Sequence, residues 1–126
     1  MEYNPPLIIM KNVKAQNLIE KRKEAANFLK AYPDRVPIIF EPCDSSKYAG
    51  QMIDTQFLIP KIITVGQFMF SVRKRMSLAP EKAIFLFIHG FIPPSSALMC
   101  DIYDYHKDND NFLHITYSFE NTFGFG

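Results

Sequence analysis

"TVGQFMFSVRKRMSLAPEKAIFLFIHG", residues 64–90, holds two hydrophobic patterns in succession, and the change from one to the other decides the fold class. In the first half Val65, Phe68, Met69, Val72 and Met76 recur at the spacing of an amphipathic helix. Thr64 and Gln67 stand three apart in front of that stripe, where a hydroxyl and a carboxamide cap each other's backbone N–H. Arg73, Lys74 and Arg75 close the helix where its dipole favours cations. In the second half "AIFLFIHG" is apolar at successive positions, which predicts a central strand covered on both faces.

Towards the N-terminus, "QFLIP" (56–60) is a short strand closed by Pro60. "RVPIIFEP" (35–42) is rich in β-branched residues, but Pro37 brings no N–H, which favours an edge, a bulge or a strand start. In "KAQNLIEKRKEAANFLKAYP" (14–33), Ala15, Leu18, Ala25, Phe28 or Leu29, and Tyr32 fall at helical spacing, and Pro33 ends the helix. Towards the C-terminus, "ALMCDIYDYHKDND" (97–110) predicts a short helix running into a polar loop. "FLHITYSFE" (112–120) alternates, with Leu113, Ile115, Tyr117 and Phe119 on one face and His114, Thr116 and Ser118 on the other. The order is helix, strand, strand, helix, strand, short helix, strand: an α+β domain in which a small sheet carries one main helix and an N-terminal helical addition.

At 126 residues the chain fits one domain, and 48% hydrophobic with 21% charged residues is an ordinary globular balance. A formal net charge of +1 argues against nucleic-acid binding held by phosphate contacts. Cys43 and Cys100 are far apart and form no CxxC, so they read as reduced cytosolic thiols. "PPLIIM" (5–10) is too short to span a bilayer and precedes charged residues, so neither anchor nor signal peptide is expected, and any membrane contact must be acquired later.

The candidate chemistry is sparse. Cys100 with Asp101, Asp104 and His106 has the residue types of a thiol enzyme but no third group to orient a base, so it reads as a structural thiol. "DYHKDNDN" (104–111) lacks the central glycine and closing glutamate of a calcium loop and reads as a solvated turn. His89, His106 and His114 have no ligand spacing, so neither a metal site nor a catalytic residue is predicted. "EKRKE" (20–24) and "VRKRM" (72–76) read as solvated helix faces. Two stretches remain: "QFLIP", whose edge is a liability unless a partner uses it, and the tail "ENTFGFG" (120–126), too aromatic for a dispensable terminus.

"YPDRVPIIFE" (32–41), "FLIP" (57–60), "TVGQFMFSVRKR" (64–75), "FLFI" (85–88), "IPPSSALM" (92–99) and "YSFENTFG" (117–124) together resemble the GABARAP-like autophagy modifiers, in order and over nearly everything from Leu18 onward. The resemblance implies a ubiquitin-like β-grasp: a four-stranded mixed sheet with an N-terminal helical extension, in one domain spanning 1–126. Its parts are a helical region 1–32, a core 33–121 and a flexible tail 122–126. Such proteins are not enzymes and carry no cofactor. They are joined through a C-terminal glycine to phosphatidylethanolamine and act as membrane-tethered adaptors for proteins bearing aromatic-x-x-aliphatic motifs.

The conjugated glycine maps onto Gly124, with Phe125 and Gly126 as a removable extension, or onto Gly126 itself if the tail is used unprocessed. Lacking a Cβ, either glycine could pass a narrow enzyme channel with its carbonyl open to a thiol and then an amine. One docking pocket maps onto Glu24, Phe28, Pro37, Ile39, Leu58 and Phe112. The second maps onto Phe57, Ile59, Pro60, Ile63, Phe68 and Ser71, and Arg35 and Arg75 flank acidic residues of the docked peptide. That peptide is expected to add to the "QFLIP" edge as a parallel strand. Phe28 and Ser71 stand where the family carries a smaller aliphatic and a larger apolar residue, and Gln56 where it carries a lysine. Activating and conjugating enzymes, a processing cysteine protease, and a cytoplasmic location that becomes the autophagosome membrane after lipidation are implied likewise. The alternative is an unconjugated peptide-binding module of the same fold, in vesicle trafficking or cytoskeletal linkage.

Overall fold

Helix α1 (Leu18–Ala31) begins where Asn17 caps it: the Asn17 carboxamide accepts from the Glu20 N–H at 2.8 Å and donates to the Glu20 carboxylate at 2.9 Å. The computed structural model describes residues 8–12, 17–43 and 55–119. Tyr32 forms the C-cap of α1, consistent with Pro33 stopping the helix. The face that α1 buries is narrower than its sequence suggests, because Ala25 and Phe28 pack inward while Leu18 and Tyr32 stay exposed. Helix α2 (Val65–Met76) has the predicted capping box, with Gln67 N–H to Thr64 Oγ1 at 3.1 Å and Thr64 N–H to Gln67 Oε1 at 2.9 Å. Its last turn closes on Ser77 in the left-handed region.

Strands β1 (Ile8–Asn12), β2 (Arg35–Pro42), β3 (Thr55–Pro60), β4 (Phe85–Phe87) and β5 (Leu113–Ser118) make one sheet in the order β1-β3-β2-β5-β4. The β2–β5 pair is parallel and the other three are antiparallel, so the sheet is mixed. The four strands of the expected β-grasp are β2 to β5, and β1 adds a fifth beside β3. Within the region expected to be helical, 18–31 form α1 and 8–12 are a strand. The short helix predicted after residue 97 is α3 (Met99–His106).

Pattern gave β5 its faces correctly and β4 its neighbours wrongly. "AIFLFIHG" is not a central strand: only Phe85–Phe87 pair, with β5 alone, and Ile88 makes an isolated bridge to Phe91. Ile84, Leu86, Phe87 and Ile88 are nevertheless all buried. Burial on both faces reports cover above and below, which an edge strand can have as well as a central one. Pro37 lies inside β2, opposite Leu58 of β3, rather than at the expected edge, bulge or strand start; it is accommodated because the ladder to β5 begins only at Ile38, one residue after the missing N–H.

The sheet separates two clusters. On the α2 face Val36, Ile38 and Phe40 of β2, Phe57 and Ile59 of β3, and Leu113, Ile115 and Tyr117 of β5 pack with Val65, Phe68 and Val72 of α2. Phe68 meets Phe40 and Phe57 edge-on, at ring-centroid distances of 5.9 and 6.2 Å. On the α1 face a smaller cluster joins Ala25 and Phe28 to Ile39 and Phe112, with Phe28 and Phe112 in a T-shaped contact at 6.3 Å.

Candidate docking edge on strand β3

Strand β3 is where the two expected pockets meet, and the alternation of its side chains decides how. Phe57 and Ile59 point into the α2 cluster, so Gln56 and Leu58 project to the α1 side. Leu58 lies opposite Pro37 and Gln56 opposite Ile39, whose other neighbour across β5 is His114. The first set of residues, Glu24, Phe28, Pro37, Ile39, Leu58 and Phe112, is therefore gathered on the α1 face from α1, β2, β3 and the entry to β5. The second set lies on the α2 face: Phe57, Ile59, Ile63 and Phe68 share the main core, Pro60 ends β3, and Ser71 is buried one turn beyond Phe68.

Each set is fastened by groups the sequence did not single out. On the α1 face Asp110, only 5% exposed, accepts from the Phe112 N–H at 2.9 Å and pairs with His114 Nε2 at 2.7 Å. The Lys21 ammonium stands 3.9 Å from the same carboxylate, and Arg22 Nε donates to the Asn109 carbonyl at 2.6 Å. These contacts hold α1 against the turn that delivers Phe112. His89 and His114 both approach Asp108, at 3.3 and 3.7 Å, so histidines remote in sequence share one acidic turn. On the α2 face the Met99 N–H donates to the Ile63 carbonyl at 2.8 Å and the Cys100 N–H to the Lys61 carbonyl at 3.0 Å. The first turn of α3 thus meets its own orphan donors while fixing the segment after β3.

Arg35 and Arg75 lie apart in role. The Arg35 guanidinium donates to the Leu58 carbonyl at 3.1 Å, beside the position where Pro37 has no N–H to give. Arg75 is exposed in the last turn of α2. Cys100 has the Asp101 carboxylate at 3.9 Å as its side-chain contact, while His106 faces the Phe91 ring at 4.9 Å and its carbonyl contacts the His89 ring. Tyr103 donates to the Asn111 carbonyl at 2.7 Å; burial, with Asp104 and then Asp110 nearby, pushes its hydroxyl above the ordinary tyrosine value. Gly124 and Gly126 lie outside the described residues.

One expectation fails at this edge. The reading of "QFLIP" as exposed requires β3 to have an unpaired side, and from Thr55 to Leu58 it has none. β2 covers one side over all six residues, and β1 covers the other from Thr55 to Leu58. Leu58, Ile39 and Phe112 are each at most 1% exposed, so the first set is packed shut. Gln56 is also 1% exposed, and neither polar atom of its side chain has a hydrogen-bond partner among the described residues.

A sheet with a parallel central pair, α2 across one face and α1 on the other is matched by known proteins. The protein-family model for "Autophagy protein Atg8 ubiquitin like" matches residues 20–124. The chain belongs to the Atg8 family. It is 53% identical over 107 residues to autophagy-related protein 8 of Schizosaccharomyces pombe, covering 83% of this chain and 87% of that one. Its identity to Atg8 relative 8d of Arabidopsis thaliana is 49% over 113 residues, with 88% and 92% covered. The crystal structure of Trypanosoma brucei ATG8 superposes with a TM-score of 0.71 at 35% identity, over 86% of this chain and 95% of that chain. Plasmodium falciparum Atg8, solved in complex with a Plasmodium falciparum Atg3 peptide, gives 0.73 at 27% identity over 83% and 92%. This Atg8-family chain is thus a ubiquitin-like autophagy protein.

Proposed function

We propose that this chain is a modifier and adaptor rather than an enzyme: it is conjugated through Gly124 to phosphatidylethanolamine and, so tethered to the autophagosome membrane, docks aromatic-x-x-aliphatic peptides along β3. The observation that carries the docking half is that the two candidate pockets lie on opposite faces of one strand. In an extended peptide, residues three apart also point to opposite faces. A strand added at β3 therefore sends its aromatic residue to the α1 face and its aliphatic residue to the α2 face. The relative solved with an Atg3 peptide supports a segment of the conjugating enzyme as one such occupant.

An aromatic anchor burying ~150–250 Å² contributes roughly 4–6 kcal/mol at ~25 cal/mol/Å². Ordering the peptide costs ~2–5 kcal/mol, so backbone pairing must add the rest and the affinity is of micromolar order. Such binding is effective when many copies sit on one membrane.

The conjugation half rests on the family and on its match ending at residue 124. A cysteine protease hydrolyses the Gly124–Phe125 bond. The activating enzyme couples the freed Gly124 carboxylate to a nucleoside monophosphate from a nucleoside triphosphate with release of pyrophosphate, and its thiol displaces that nucleotide to give a thioester that passes to the conjugating enzyme. The lipid amine then attacks the thioester carbonyl and expels the thiolate to leave an amide. The intact mass of the membrane-associated form, followed by its terminal peptide, tests this. The expected species ends at Gly124 with the lipid attached; Gly124→Ala abolishes it, and deletion of Phe125 and Gly126 removes the need for the protease. A lipid found on Gly126, with Phe125 still present, would overturn the assignment.

A further inference from the structure

The edge that the docking reading requires is already taken, and by the chain itself. β1 pairs Ile8 with Leu58, Ile9 with Phe57, Lys11 with Gln56 and Asn12 with Thr55. A strand has two hydrogen-bonding sides, and β2 holds the other side of β3. We propose that β1 is an intramolecular plug: peptide docking at β3 and β1 pairing at β3 are mutually exclusive, and the free protein is autoinhibited by its own residues 8–12. The proposal rests on the docking function proposed above and adds its regulation.

Three features suit β1 to reversible closure. Its ladder is irregular between Ile9 and Lys11, where Met10 has no partner across the pair. A bulge of this kind breaks the run of hydrogen bonds, so β1 holds β3 less firmly than the regular six-residue pairing of β2 does. Residues 13–16 alone separate β1 from Asn17, the cap of α1, so the plug is tethered close to its site. Short tethers give effective concentrations of order millimolar, so β1 occupies β3 most of the time provided that its own dissociation constant as a free segment lies below that value. Finally, β1 runs antiparallel to β3 whereas the docked peptide is expected parallel, so the peptide replaces β1 outright rather than extending it.

Closure lowers apparent affinity by the fraction of open molecules, so a plug in place nine times out of ten weakens binding about tenfold. The probe is a short synthetic acidic peptide carrying Trp-Glu-Glu-Leu, titrated against the full chain. In Ile8→Pro with Ile9→Pro, one of two successive N–H groups faces β3, so a ladder donor is lost whichever it is, and β3 itself is untouched. This variant should bind about tenfold tighter. In the opposite direction, Asn12→Cys with Thr55→Cys, in a Cys43→Ser and Cys100→Ser background, places thiols at directly paired positions away from both pockets. Oxidation should form the crosslink, seen as a mass loss of two hydrogens, and suppress binding; reduction should restore it.

Equal affinity in the wild-type, proline and oxidised forms, or failure of the paired thiols to crosslink, overturns the plug while leaving docking intact. Absence of binding in every form, the proline variant included, overturns the docking function itself.

Discussion

Replacing Asp110 by alanine tests whether one buried carboxylate sets the α1 face. Asp110 accepts from the Phe112 N–H at 2.9 Å and from His114 at 2.7 Å while only 5% exposed. A hydrogen bond to a charged group contributes ~1.5–3 kcal/mol, and leaving the Phe112 N–H buried without an acceptor adds to the loss. The Lys21 contact, at 3.9 Å with a partly exposed ammonium, adds little. A destabilisation of about 3 kcal/mol follows. At ~2.1 cal/mol/K per residue, the unfolding entropy of 126 residues is roughly 0.26 kcal/mol/K, which converts 3 kcal/mol to a fall of about 11 °C in Tm. Calorimetry reads the shift directly. Asp110→Asn keeps an oxygen for the Phe112 N–H and loses only the charge, so its cost should be about half as large. A cycle with His114→Gln should return a coupling of about 1 kcal/mol or more between the two residues. A loss below 1 kcal/mol in Asp110→Ala, or full additivity with His114→Gln, would refute the view that this carboxylate organises the turn.

Gln56→Leu should stabilise the fold by about 1–2 kcal/mol, because a buried carboxamide without partners among the described residues costs that much and leucine has nothing to satisfy; a lower urea midpoint in the variant would contradict it. Phe57→Ala should cost about 3–5 kcal/mol in urea unfolding, since Phe57 packs between Phe40 and Phe68 in the main core. Loss of peptide binding in that variant must therefore be read only where the protein remains folded. Tyr103 is pushed above its usual value chiefly by burial, so the native state holds the phenolic proton more tightly than the unfolded chain. That contribution is complete below about pH 10 and is lost as pH rises through the raised native value, so Tyr103→Phe should flatten the alkaline fall in stability while costing about 1 kcal/mol at neutral pH. An unchanged alkaline slope would count against it.

Local chemistry was legible in the sequence, and adjacency was not. Thr64 and Gln67 cap α2 because the two groups that satisfy each other lie within one turn. Leu113, Ile115 and Tyr117 face the core because a period of two fixes sides without reference to any other strand. The same period cannot name neighbours, so β4 has both faces covered yet lies at the edge. Residues 8–12 carry Ile8 and Ile9, a β-branched signal, but a five-residue strand closing on β3 is specified by the edge it completes, not by its own pattern. The docking residues came from resemblance, and the sheet sorts them onto two faces as strand alternation demands. Asp110 escaped notice because its partners are a backbone N–H and a histidine that spacing alone does not mark; the short step from Asp110 to Phe112 was the one available sign of a side chain closing its own turn.

The parallel register of β2 with β5 also fixes an order of events during synthesis. β2 leaves the ribosome early, but the strand that fills its second side is among the last segments made, with α2, β4 and α3 emerging between them. Until then a strand as apolar as Val36–Pro37–Ile38–Ile39–Phe40 has an open flank in the crowded space around the nascent chain. The sheet closes only when Leu113–Ser118 arrive, and the tail glycines follow within a few residues. Completion of the fold and emergence of Gly124 are therefore nearly one event, which leaves a newly made molecule almost no interval in which that glycine is presented by an unfinished body.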